Sequence, residues 1–140
     1  MADTYDKPRP LKVNIYKGKI VATDTIPFHW RVSPNNPDGM TVRFVVKLMA
    51  EDGPATITDA VDASNIQRLH SVFRSADLKE PENPEEMINI VHTLRGEPCL
   101  VSTKNITPRQ GKHAGKEKAV ISRWISEEEL KRIQDQSGGN

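Results

Sequence analysis

The stretch "TVRFVVKLMAEDGPATITDAV", residues 41–61, decides the fold class because apolar and polar residues alternate on both sides of a turn. In its first half, Arg43 and Lys47 lie on the polar face of the predicted strand. The residues that alternate with them form its apolar face: Val42, Phe44, Val46 and Leu48. A period of two is that of a half-buried strand. The run "EDGP" is a turn signal, so a further strand, about Ala55–Val61, is predicted to complete a hairpin.

The segment before this hairpin, "LKVNIYKGKIVA" (Leu11–Ala22), also alternates. Its apolar residues fall on odd-numbered positions before "KGK" and on even-numbered positions after it. One extra residue in a strand moves every later side chain to the opposite face, and glycine tolerates the dihedral angles that this requires. The sequence therefore predicts a bulge at Gly18 and a long, curved first strand.

Residues 62–96 change to a helical period. A first helix is predicted behind Asp62 or Ser64 as the N-cap. Its packing residues, together with those of a second helix, are expected to be Leu69, Phe73, Val91 and Leu94. The second helix has Asn83 at the N-cap and Pro84 at the first position.

Two more strands are predicted, Pro98–Ile106 and Lys118–Ile125, followed by a helix that begins with a capping box at Ser126. This element order matches a mainly β chain with helices: a five-stranded OB-fold-like Greek-key barrel, a helical insertion between strands 3 and 4, and a C-terminal helix. The domain is predicted to cover residues 11–136, with a flexible arm at 1–10 and a disordered tail at 137–140. An α+β sandwich with another strand order is the alternative.

The composition of the chain bears on its disulfide content and on the compartment in which the protein works. The 140 residues carry a net charge of +1 and include one cysteine, Cys99, so an intramolecular disulfide is excluded. We expect a buried, inert thiol in a cytoplasmic protein. Apolar runs long enough to span a bilayer do not occur in the sequence, and no membrane partner is expected.

Barrels of this kind bind oligonucleotides on the strand 2–3 face and on the loops after strands 1 and 4. These loops are predicted at Asp24–Met40 and Thr107–Glu117. The first loop contains Phe28, Trp30 and Arg31, which fits stacking on bases and contact with phosphate. The alternative is that the loop folds back and Trp30 plugs one end of the barrel.

The second loop lies in "KNITPRQGKHAGKEK", residues 104–118, where basic residues face a single acid. Its candidate phosphate contacts are Lys104, Arg109, Lys112, Lys116 and Lys118. Arg43 and Lys47, on the polar parity of their strand, are secondary candidates for the same ligand. The alternative is a solvated hairpin tip without a ligand.

Catalytic and metal-binding patterns do not emerge from the sequence. The four histidines fall on separate predicted elements without paired spacing, so we expect no metal site. A nucleophile, a base and an orienting acid do not occur as a set. We therefore predict that the protein is not an enzyme and needs no cofactor.

The segment "GEPCLVST", Gly96–Thr103, follows a predicted helix and leads into the basic hairpin. Over roughly residues 66–125 the chain resembles small phage-encoded OB-fold proteins that bind single-stranded DNA near replication and recombination genes. The resemblance implies sequence-tolerant binding of single-stranded nucleic acid, with DNA expected as the ligand in preference to RNA. It also implies a phage or host DNA-metabolism protein as a further partner.

Two functions stay open at this point. The first is the single-strand binder, for which self-association is expected because one such domain covers few nucleotides. The second is a non-enzymatic protein-interaction module, an inhibitor or a scaffold on the same fold. In that case the acidic segment Asp77–Glu97 or the aromatic loop would dock a partner protein.

Overall fold

The structure, a computed structural model, describes residues 9–110 and 114–138 and is mainly β. Five strands form one antiparallel sheet in these ranges: β1 Ile15–Pro27, β2 Met40–Ala50, β3 Gly53–Asp62, β4 Pro98–Ile106 and β5 Lys118–Ile125. Their order across the sheet is β3-β2-β1-β4-β5. The mainly β class and the five strands are thus confirmed.

Helices α1 (Ile66–Ser75) and α2 (Pro84–Ile90) lie between β3 and β4, and α3 (Glu127–Gly138) follows β5. Short 3-10 turns occur at His29–Arg31 and Val91–Leu94. Helix α3 includes residues 137 and 138, which the sequence assigns to the tail. Among the described residues, none of the helices is long and apolar enough to cross a membrane.

The N-cap of α2 is as predicted, because the Asn83 side chain accepts a hydrogen bond from the Glu86 N–H at 2.7 Å. The predicted cap of α1 is wrong. Asn65 caps this helix, accepting from the Arg68 N–H at 3.2 Å. Asp62 is engaged elsewhere, since its carboxylate accepts from the backbone and the hydroxyl of Ser64.

The bulge in β1 lies at Val21, and its predicted position at Gly18 is wrong. Ile20 pairs with Val46 and Ala22 pairs with Val45, so Val21 is the extra residue. Gly18 serves close packing instead, because a Cβ there would lie 2.6 Å from the Leu48 side chain. The predicted switch of the apolar residues from one set of alternate positions to the other therefore occurs, but three residues after Gly18.

The loop after β1 is shorter than predicted. Strand β1 continues to Pro27, which pairs with Met40, while Asp24 pairs with Arg43. Proline is tolerated here because it ends the strand. The loop therefore spans residues 28–39, whereas the loop after β4 spans residues 107–117 as predicted.

The inner face of the sheet forms the core together with the helices. Side chains of β2 on the predicted apolar parity are fully buried: Val42, Phe44, Val46 and Leu48. The predicted helical packing residues are buried as well: Leu69, Phe73, Val91 and Leu94. Cys99 is also buried, as expected, and desolvation raises the pKa of its thiol to about 12, which keeps it protonated.

Strands β3 and β5 are the two edges of the sheet, and side chains join them. Asp59 of β3 accepts hydrogen bonds from Arg68 Nε at 3.0 Å and from the indole N–H of Trp124 at 2.7 Å. The same guanidinium donates to the Ile121 carbonyl at 3.0 Å and to the Ser122 carbonyl at 3.3 Å, both on β5. Asp59, Arg68 and Trp124, called the edge clasp below, bring the two edges together.

Replacing Arg68 by alanine should lower the free energy of unfolding by about 1–3 kcal/mol, because one carboxylate and two carbonyls lose a donor. Urea denaturation measures this change. As a matched control, Arg132→Ala removes an exposed helical ion pair with Glu128 and should cost less than about 0.5 kcal/mol. Equal losses of unfolding free energy in the two variants would show that the edge clasp stabilises the fold no more than an exposed ion pair does.

Candidate nucleic-acid interface

An aromatic turn follows β1 at residues 28–30. The rings of Phe28 and Trp30 stack with centroids 4.4 Å apart and planes 14° apart, and His29 meets Trp30 edge-on at 5.1 Å. Trp30 is 67% exposed, so the alternative in which it plugs the end of a barrel is wrong. Trp124 is the buried tryptophan, packed edge-on against Phe44 at 5.5 Å.

Backbone contacts across the loop hold the aromatic turn in place. The Phe28 N–H donates to the Gly39 carbonyl at 2.8 Å. Gly39 has a φ of +63°, and a Cβ at this position would collide with the Phe28 carbonyl oxygen. Only glycine meets both demands, the left-handed backbone and the close approach.

Asn36 is the side-chain anchor of the loop and is buried. Its carbonyl oxygen accepts from the Met40 N–H at 2.9 Å, and its amide donates to the Met40 carbonyl at 2.8 Å and to the Asp62 carboxylate at 2.9 Å. Hydrogen bonds from the Ser64 hydroxyl and, more weakly, from Asn36 hold the pKa of Asp62 below its ordinary range. The loop is thereby fastened to β2 and to the end of β3.

The sequence does not single out Asn36, because "SPNNPDG" reads there only as a turn signal. Its neighbour Asn35 is the same residue type but is exposed, and no feature of the sequence separates the two. The anchor is recognisable only from the structure.

Arg31 lies beside the aromatic turn and reaches the neighbouring strand. Its guanidinium is 3.5 Å from the Ala60 carbonyl of β3, a long hydrogen bond. Three predicted site residues, Phe28, Trp30 and Arg31, therefore lie together in the loop after β1, and Arg31 reaches the end of β3.

Arg43 and Lys47 both lie on the outer face of β2, in different electrostatic settings. Arg43 forms a two-point ion pair with Asp24, with nitrogen–oxygen distances of 3.1 and 2.6 Å. Lys47 is exposed and lies opposite Lys19 of β1. With Lys17, these lysines line a shallow concavity of about 270 Å³. Sequence reasoning did not select Lys17 and Lys19, although both occur in the "KGK" run.

The basic loop after β4 lies at the other end of β1. Strand β1 begins opposite Ser102 of β4, from which β4 continues to Ile106 and the basic loop, and the last residue of β1 opposes Met40, near the aromatic turn. The two predicted groups are thus not one cluster, and the outer sheet face runs between them. The candidates Lys104, Arg109 and Lys116 are exposed, Lys118 is partly buried, and Lys112 lies outside the described residues.

Comparison with known proteins assigns no class to the chain. Neither a protein-family model nor a curated protein matches it. Across residues 9–110 and 114–138, histidine, cysteine and carboxylate side chains do not assemble into a group of three that could hold a metal ion. The exposed aromatic turn and the exposed cations remain the features that bear on function.

Replacing Asn36 by alanine should lower the free energy of unfolding by about 1–3 kcal/mol, since the partly buried Met40 N–H loses its acceptor and the Asp62 carboxylate loses a donor. It should also raise the mobility of Trp30, which fluorescence anisotropy reports. The exposed neighbour gives a matched control, and Asn35→Ala should change stability by less than about 0.5 kcal/mol. Unchanged anisotropy in Asn36→Ala would show that the loop does not depend on this anchor.

Proposed function

We propose that the protein binds single-stranded DNA with little dependence on base sequence. The observation that carries the proposal is Trp30, exposed and stacked on Phe28 in a loop that Asn36 and Gly39 hold fixed. Every base has a π face, so stacking on aromatic side chains binds single strands of any sequence. A fixed platform also loses little conformational freedom on binding.

The sheet topology supports an OB-like barrel as the framework of this activity. Strand β1 pairs with both β2 and β4, and the edge clasp brings β3 against β5. In the OB-fold, the strand 2–3 face and the loops after strands 1 and 4 receive the oligonucleotide. The aromatic turn and the basic loop occupy these two loops.

Exposed cations supply the attraction to phosphate. The net charge of the chain is only +1, so attraction to phosphate depends on where the cations lie and not on their sum. Lys104, Arg109 and Lys116 are exposed around the loop after β4, and Lys47 is exposed on the sheet face. The resemblance of residues 66–125 to phage single-strand binders is the ground on which we propose a role in replication or recombination, and the buried thiol of Cys99 suits a reducing cytoplasm.

A protein-interaction module is the second candidate function, and the same turn favours it. Val32 is 55% exposed near Trp30, and exposed tryptophans are frequent energetic centres of protein interfaces. The two functions differ in ligand. Binding of a short oligonucleotide at low salt distinguishes the two functions, because only the single-strand binder requires the aromatic turn to bind an oligonucleotide.

Oligothymidine should quench the fluorescence of Trp30, and Trp30→Ala should weaken binding by about 1–3 kcal/mol, the contribution of one stacked base. In this variant the remaining tryptophan, Trp124, is buried, so quenching should disappear. Fluorescence titration measures both effects.

A matched control is Leu78→Ala, which removes an exposed apolar side chain beyond α1 and should leave the affinity unchanged. Native-like unfolding of each variant shows that the fold is intact. If folded Trp30→Ala binds as tightly as the unaltered protein, the stacking platform is wrong. If the unaltered protein binds no oligothymidine at low salt, the interaction module takes the place of the single-strand binder.

A further inference from the structure

A cluster of lysines on the outer face of β1 and β2 lies away from the aromatic turn. Lys19 and Lys47 are directly opposite each other in the antiparallel register, and Lys17 shares their face two residues earlier on β1. All three are exposed and line the concavity of about 270 Å³ beside Met49, which is 70% exposed.

These lysines have no ionic partner in the part of the chain that the structure describes. Like charges directly opposite each other on an antiparallel pair are destabilising. The same two strands place Asp24 opposite Arg43, with an ion pair of 2.6 Å, so charge is balanced there by an acid. At Lys19 and Lys47 the balancing charge is missing from the described protein, and an anionic ligand would supply it.

Met49 gives this concavity a chemical character beyond charge. Its side chain is apolar, flexible and polarisable, and methionine sulfur makes favourable contacts with aromatic rings. An exposed methionine ringed by lysines therefore suits a ligand that combines anionic groups with flat rings. A single strand of nucleic acid carries both.

We propose that Lys17, Lys19 and Lys47 form a second subsite, which binds phosphates of the same strand that stacks on Trp30. This inference rests on the proposed function. The aromatic turn adjoins the pair Pro27 and Met40, and Lys47 lies seven residues farther along β2, or roughly 23 Å at the rise of a strand. The ligand must therefore extend along the outer face over several nucleotides, which agrees with a site of at least about four.

The test is the double variant Lys19→Ala/Lys47→Ala with oligothymidine of about 12 nucleotides, within the range that one such domain covers. A phosphate contact contributes roughly −0.7 to the slope of log affinity against log salt, so losing two should make the slope shallower by about 1.4. The quenching of Trp30 at saturation should persist. The melting temperature should hold or rise, because the repulsion between the two lysines is removed.

A matched control is Lys79→Ala/Lys131→Ala, which removes the same charge from exposed positions outside the sheet and should leave the slope unchanged. If the alanine variant does not fold, Lys19→Gln/Lys47→Gln preserves side-chain length and gives the same expected slope. An equal loss of slope in the control would overturn the subsite in favour of a net-charge effect.

The two proposals fail in different ways. If the unaltered protein binds no oligothymidine and Trp30 is not quenched, the proposed function is wrong, and the subsite fails with it. If binding and quenching occur but the slope stays the same without Lys19 and Lys47, only the second subsite is wrong.

Discussion

The fold depends on one partly buried carboxylate. Asp59 accepts hydrogen bonds from Arg68 of α1 and from Trp124 of β5, so one side chain of β3 joins a helix and the opposite edge of the sheet. Bonds between a carboxylate and a guanidinium are among the stronger ones in proteins. Arg68 also donates to two β5 carbonyls, those of Ile121 and Ser122, at the edge of the sheet. With the edges together, the inner face is filled by the core and the outer face remains open to a ligand.

The protein departs from local structural rules at two places, the aromatic turn and the outer face of β1 and β2, and both suit the same ligand. Trp30 is exposed although a tryptophan gains by burial, and Lys19 opposes Lys47 although like charges repel. Such departures are expected where function outweighs stability. A stacking surface and exposed cations are the two features that a single-strand binder combines.

Local patterns in the sequence predict much of this framework, because alternation and capping depend on neighbouring residues. For that reason, the predicted buried face of β2 and the predicted N-cap of α2 at Asn83 are correct. The predicted bulge at Gly18 is wrong, because the tight packing that requires a glycine there comes from Leu48 on another strand.

The candidate site was harder to predict, because its geometry comes from contacts between distant residues. Trp30 lies exposed in a loop that Asn36 fastens to Met40 and Asp62, and these bonds join positions that the sequence does not show to be neighbours. The opposition of Lys19 and Lys47 is set by the register of β1 and β2, which the sequence does not display.

The most direct test of the central claim, that the outer face and the aromatic turn bind a single strand, is a nuclear magnetic resonance titration of isotope-labelled protein with oligothymidine. The account predicts that the Trp30 indole signal and the amide signals of Lys19 and Lys47 shift with the added strand, while those of α2 and α3 stay in place. Shifts confined to the acidic segment around α2, or no shifts at low salt, would contradict it.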